Sequence, residues 1–94
     1  MTTSVETRFR RTSADFLTEA GRAARANRVR AREARAMAVT FEQRARRSVV
    51  HGQMYLREAR RLRREAAALE VDAALHDEAV NAVWQLIDDG VVTA

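Results

Sequence analysis

The residues of this chain best suited to chemistry are its arginines, which are numerous and unevenly placed. All seventeen basic residues are arginines, and they lie between Arg8 and Arg64. A guanidinium stays charged at neutral pH and presents a planar fork of five N–H donors, which matches the oxygens of phosphate and carboxylate groups. The arginines therefore predict the binding of an anionic partner.

The two parts of the sequence carry opposite charge. Residues 1–64 hold all seventeen arginines against six acids, a net charge of +11. Residues 65–94 hold seven acids and no base, a net charge of −7, which leaves the whole chain at +4. This division indicates a basic surface that attracts an anion, and an acidic segment that could itself occupy such a surface.

The spacing of the arginines is helical. At 100° per residue, most of those after residue 20 share one side of a helix, opposite an apolar stripe, although Arg30, Arg44 and Arg63 depart from that side. The candidate residues for binding nucleic acid or an acidic partner are Arg22, Arg25, Arg28, Arg32, Arg35, Arg46, Arg57, Arg60, Arg61 and Arg64. Such a face can follow a phosphate backbone and release counterions as it binds. Because glutamates lie among these arginines, a solvated face with internal ion pairs is the alternative interpretation.

The composition predicts an all-α fold, because the chain has no proline, only three glycines and many residues that favour helix. We expect a long basic amphipathic helix or a helical hairpin over residues 12–70, then a shorter acidic helix over about 72–89. Ser48 and Gly52 interrupt the apolar stripe, which slightly favours a break between them. Residues 1–11 are expected to form a flexible N-terminus ahead of a capping box at Thr12 and Asp15, with residues 12–94 as one helical domain.

The apolar stripe is built mostly from alanine, which permits a coiled-coil-like or small-bundle packing but buries little area per residue. A chain of this length buries only about 60–65% of the surface that its unfolded form exposes, so we expect a dimer or higher oligomer. The expected buried anchors of the core or interface are Phe16, Phe41, Tyr55, Leu62, Leu69, Val80, Val83, Trp84 and Ile87.

The end of the acidic helix has two distinctive features. Gly90 is expected at its C′ position in a Schellman motif, with Val91 contacting Leu86. Asp88 and Asp89 precede this glycine, where the helix dipole disfavours negative charge. We therefore expect these two aspartates to face arginines, in the same chain or in a neighbouring subunit.

The sequence offers little to an enzyme. His51 and His76 are the only histidines and lack the spacing of metal ligands, and no glycine-rich phosphate loop is present. We therefore predict no catalytic residue, no metal ligand and no cofactor. The absence of cysteine excludes disulfides and thiolate zinc sites. No secretory signal or membrane-spanning stretch is recognisable, so we expect a soluble cytoplasmic protein.

Two functions fit these patterns. The first is a small non-enzymatic nucleic-acid-binding protein that contacts a duplex backbone with little base specificity, since Phe16, Phe41 and Tyr55 lie on the apolar face rather than among the arginines. The alternative is a helical adaptor or inhibitor that docks on an acidic protein surface, or self-assembles through its basic and acidic helices. The absence of lysine also fits a GC-rich coding sequence, in which arginine is abundant without a binding role.

Overall fold

A computed structural model describes the backbone of residues 2–92 and the side chains of residues 13–92. It contains two α-helices, α1 (Thr2–Arg47) and α2 (Gly52–Asp88), and the described residues include no strand. The prediction of an all-α fold is confirmed. The chain divides into two compact units. We call Ala26–Asp72 the hairpin unit, and Met1–Arg25 with Ala73–Ala94 the terminal unit.

The hairpin unit contains two antiparallel helical segments joined by a turn over residues 48–51. Ser48 Oγ accepts a hydrogen bond from the backbone N–H of His51 at 3.0 Å, which holds the turn. A Cβ on Gly52 would lie 3.3 Å from the carbonyl oxygen of Ala45, so the glycine lets α2 begin close to the end of α1. Of the two arrangements that the sequence left open, this unit adopts the hairpin.

The predicted start of the first helix is wrong. α1 begins at Thr2, so Thr12 and Asp15 lie inside the helix and form no capping box at its start. Residues 2–11 contain neither proline nor glycine, so nothing in their sequence stops the helix. The side chains of residues 1–11 lie outside the described ones, and the flexibility predicted for this segment stays a prediction.

The prediction of a separate acidic helix is also wrong, because α2 continues without interruption from Gly52 to Asp88. No proline or glycine lies near the expected boundary at residue 71. Asp72, which was expected near the start of a new helix, instead accepts a hydrogen bond from Asn27 Nδ2 at 2.5 Å. The acidic residues therefore occupy the second half of the same helix that carries the arginine cluster at residues 57–64.

The core of the hairpin unit consists mainly of alanine. Its buried residues and the two partly buried residues packed against them are Ala31, Ala34, Ala38, Ala59, Leu62, Ala66, Phe41 and Leu69. Leu62 is the only large side chain among the buried residues that the structure describes. Small side chains let the helix axes come close together, so contact density compensates in part for the small area that each residue buries.

Two ion pairs link the helices of the hairpin unit. Arg63 donates to both carboxylate oxygens of Glu42, from Nη2 at 2.6 Å and from Nε at 3.3 Å. Arg35 donates from Nε to Oε1 of Glu70 at 2.9 Å, and its Nη2 contacts the same oxygen. The hydrogen bond from Arg63 lowers the pKa of Glu42 below its usual value, and the same bond raises the pKa of Arg63.

The terminal unit covers its large apolar side chains less completely. Among its described side chains, Ala20, Ala24 and Ala73 are buried, whereas Phe16 and Trp84 are 40% and 47% exposed. The remaining apolar residues predicted for this unit are partly buried, namely Val80, Val83 and Ile87. Phe16 and Trp84 are therefore not buried in the single chain, and their expected role as interface anchors stays a prediction.

The C-terminal end of α2 confirms the predicted Schellman motif. Gly90 has a φ of 75°, in the left-handed region that glycine adopts without strain. Its N–H donates to the carbonyl of Ile87, and the N–H of Val91 donates to the carbonyl of Leu86, both at 3.0 Å. These two bonds satisfy carbonyl groups that the helix leaves without intrahelical partners.

The alanine core predicts strong sensitivity to added volume. Ala38 is fully buried, so Ala38→Leu should separate the helices and destabilise the protein by about 1–3 kcal/mol. Ala36 is exposed on the same helix, and Ala36→Leu should change stability by no more than about 0.5 kcal/mol. Urea unfolding followed by circular dichroism measures both variants, and equal effects would contradict the described packing.

The Glu42–Arg63 pair predicts a stability that falls in acid. Because the folded-state pKa of Glu42 is lowered, its contribution is fully present above the ordinary glutamate pKa of about 4.3, and is lost as the pH falls through the lowered value. Glu42→Gln should therefore reduce the difference in melting temperature between pH 7 and pH 3. Glu33 makes no ion pair with another described residue, so Glu33→Gln is the control. An equal reduction in both variants would rule out the pair as the cause.

Candidate functional site

Charge is distributed unequally between the two units. Residues 26–72 hold twelve arginines and six acids, a net charge of +6. The terminal unit, residues 1–25 and 73–94, holds five arginines and seven acids, a net charge of −2. The hairpin unit is therefore the part of the molecule that attracts anions.

Eight of the ten arginines predicted to bind a partner lie in the hairpin unit, and Arg22 and Arg25 lie in the terminal unit. Nine of the ten are exposed, and Arg35 is partly buried. This placement follows from the helical period, since residues on the side opposite the alanine stripe face solvent. The predicted surface thus exists as an exposed set of guanidinium groups, although its role in binding stays a prediction.

Two of the predicted arginines are already engaged by carboxylates. Besides Arg35, Arg61 contacts Glu58 through Nη2 at 2.5 Å and Nε at 3.1 Å, and Glu65 through Nη1 at 3.3 Å. These partners lie three residues before and four residues after Arg61 on α2, the spacing of neighbours on one helix face. The hydrogen bond from Arg61 lowers the pKa of Glu58, and the same bond is the largest cause of the raised pKa of Arg61.

Other predicted arginines retain their donors. Within residues 13–92, Arg32, Arg57, Arg60 and Arg64 form no ion pair. All four are exposed, and three of them lie on α2 within eight residues of each other. An exposed guanidinium without a carboxylate partner keeps all five N–H donors for a ligand.

Two open grooves border these arginines. The aromatic groove has a volume of about 500 Å³ and is lined by Phe41, Met54, Tyr55, Arg57, Glu58, Arg61 and Arg64. Within it, the rings of Phe41 and Tyr55 stack with their centroids 6.0 Å apart. The arginine groove has a volume of about 540 Å³ and is lined by Arg28, Ala31, Arg32, Arg35 and Glu70. The first groove combines aromatic surface with positive charge, and the second is lined mainly by charged side chains.

Sequence reasoning missed two arginines that depart from the main stripe. Arg63 pairs with Glu42 on the other helix, and the guanidinium of Arg44 lies 5.6 Å from the centroid of the Phe41 ring, within cation–π range. Their position off the arginine side of the helix was the sequence signal for such contacts, because an arginine turned from the outer face can reach a neighbouring helix. Its partner could not be named without the antiparallel register.

The two histidines are not part of a metal centre in the described structure. His51 is the last residue of the turn, and its ring contacts that of Tyr55 edge-on, with the centroids 6.5 Å apart. Among residues with described side chains, no group of three His, Asp or Glu residues could hold a metal ion.

Neither helix, over its described residues, is long and apolar enough to cross a membrane. Comparisons of the chain with protein-family models, curated proteins and solved structures find no match.

Proposed function

We propose that this protein is a non-enzymatic nucleic-acid-binding protein whose hairpin unit contacts the phosphate backbone of a duplex with little base specificity. The observation that carries the proposal is the set of exposed guanidiniums at Arg32, Arg57, Arg60 and Arg64, which have no ion pair among the described residues. In a unit of net charge +6, these groups attract phosphates and release counterions on binding. Their N–H donors form charge-assisted hydrogen bonds with phosphate oxygens.

The aromatic residues support backbone contact over base stacking. Phe41 and Tyr55 are partly buried and stack on each other, and Arg44 lies over the Phe41 ring. Proteins that grip single strands without sequence preference usually offer free aromatic faces to successive bases. A duplex, in contrast, presents its phosphates outward and requires no such platform. The proposal is therefore for duplex binding.

Three arginines of α2, here called the α2 cluster, have a spacing along the helix suited to neighbouring phosphates. Arg57, Arg60 and Arg64 are spaced by three and four residues, or about 4.5 Å and 6 Å along the helix axis. Together with Arg32, they predict about four phosphate contacts and a slope near −4 in a plot of log affinity against log salt concentration. Binding without base specificity typically has a dissociation constant of about 10⁻⁴–10⁻⁶ M at physiological salt.

The α2 cluster yields a test of the proposed contacts. Each of Arg57→Gln, Arg60→Gln and Arg64→Gln should weaken binding to all sequences equally and reduce the magnitude of the salt slope by about 1. Arg61→Gln is the matched control on the same helix, and should reduce the slope less because Glu58 and Glu65 already engage its guanidinium. Fluorescence anisotropy of a labelled random-sequence duplex, titrated across a salt series, measures all four variants.

Two results would contradict different parts of this proposal. An unchanged slope in the triple variant Arg57→Gln/Arg60→Gln/Arg64→Gln would remove the α2 cluster as the contact surface. Absence of duplex binding by the unaltered protein at low salt would reject the proposed function itself. Circular dichroism of each variant checks that its helix content is retained.

The aromatic groove favours a second candidate function, that of an adaptor or inhibitor docking on an acidic protein. Phe41, Met54 and Tyr55 give it apolar surface that a phosphate backbone does not use, and arginines border that surface. A protein partner recovered from a lysate after complete nuclease digestion would support this candidate.

We further propose that the protein is oligomeric, which the exposed rings of Phe16 and Trp84 support. We also propose a cytoplasmic location, which the absence of cysteine supports.

A further inference from the structure

The end of α2 carries apolar side chains that its own chain leaves exposed. Besides Trp84, Leu86 is 42% exposed and Val91 is 69% exposed. Asp88 and Asp89 lie between them and are also exposed. Apolar and acidic residues are thus combined at one helix end, and their exposure makes them available to a partner.

The two aspartates lack the cation that their position calls for. The last turn of α2 contains no basic residue, and neither Asp88 nor Asp89 forms an ion pair with a described residue. Asp89 accepts only a neutral hydrogen bond, from Gln85 Nε2 at 3.1 Å. Because the carbonyl end of a helix dipole repels negative charge, a positively charged group from outside would stabilise this end.

The aromatic groove has the complementary chemistry. Phe41, Met54 and Tyr55 offer apolar contact, and Met54 is 54% exposed. Arg57 and Arg64 line the same groove without an ion pair to a described residue. The groove therefore offers an aromatic contact for an apolar side chain and guanidinium partners for two carboxylates.

We propose that residues 84–91 of one copy dock in the aromatic groove of a second copy. The charges identify this occupant, because residues 84–91 hold two aspartates and no basic residue, whereas the hairpin unit carries +6. Trp84 and Val91 contact the apolar lining, and Asp88 and Asp89 pair with Arg57 and Arg64 of the other copy. The inference goes beyond the proposed function, and it makes self-association and phosphate binding compete for these two arginines.

Trp84 provides an internal probe, since it is the only tryptophan in the chain. At low salt, increasing protein concentration should shift its emission to shorter wavelength as docking excludes water from the ring. Over the same range, the weight-average mass from analytical ultracentrifugation should rise from 10.6 kDa to about twice that value or beyond. Both changes should reverse at high salt, because the paired charges are exposed in the free chains.

A charge exchange tests the pairing. The groove variant Arg57→Glu/Arg64→Glu and the tail variant Asp88→Arg/Asp89→Arg should each lose self-association, because like charges meet in either protein alone. An equimolar mixture should restore it, since the acidic groove of the first variant accepts the basic tail of the second. Asp88→Asn/Asp89→Asn removes the tail charge with little change in shape, and it should weaken association even if a reversed variant fails to fold.

Several outcomes would overturn the inference. A monomeric unaltered protein at every concentration, an emission shift independent of concentration, persistent association of both reversed variants, or a mixture that stays monomeric would each do so. None of these measurements contains nucleic acid. Self-association without duplex binding, even at protein concentrations at which the chain is monomeric, would therefore reject the proposed function alone, and duplex binding by a strictly monomeric protein would reject this inference alone.

Discussion

The close approach of two helices over alanine side chains is the constraint on which the rest of the structure depends. Ala38 and Ala66 are fully buried, and Leu62 is the only large side chain buried beside them in the described structure. Because alanine buries little apolar area, hydrophobic stabilisation of the hairpin unit is modest. A core this narrow occupies only one stripe of each helix, and the remaining circumference is free to carry charge. The arginine surface is thus the counterpart of a small core.

Arginine has two distinct roles in the hairpin unit. Arg63 and Arg35 reach across to Glu42 and Glu70, and because solvent screens ion pairs as accessible as these, they contribute little to stability. They add orientation to a pair of helices whose alanine faces alone specify register weakly. Arg57 and Arg64, in contrast, remain without a carboxylate partner among the described residues. The unit has six fewer acids than arginines, so internal pairing cannot neutralise the whole surface.

Local rules predicted the features that depend on few neighbours in sequence. The helical class, the outward position of the arginines and the stop at Gly90 follow from periodicity and glycine chemistry. The sequence did not decide between a turn and a continuous helix at Gly52, because a glycine inside a helix costs only about 1 kcal/mol, which packing can override. The pairing of Arg63 with Glu42, 21 residues apart, depends on an antiparallel register that local spacing does not contain. The exposure of Trp84 likewise depends on which side chains the fold places around it.

The buried alanines recur at intervals of seven, as Ala24, Ala31 and Ala38 on α1 and as Ala59, Ala66 and Ala73 on α2. Because of this interval, a change in the length of a helix also changes the side of the helix on which its arginines lie. Inserting a single residue into a helix rotates everything beyond it by 100° and would carry arginines into the stripe. Seven residues added to each helix restore the original phase almost completely. This chain could therefore be lengthened or shortened in paired heptads while keeping an alanine seam inside and arginines outside.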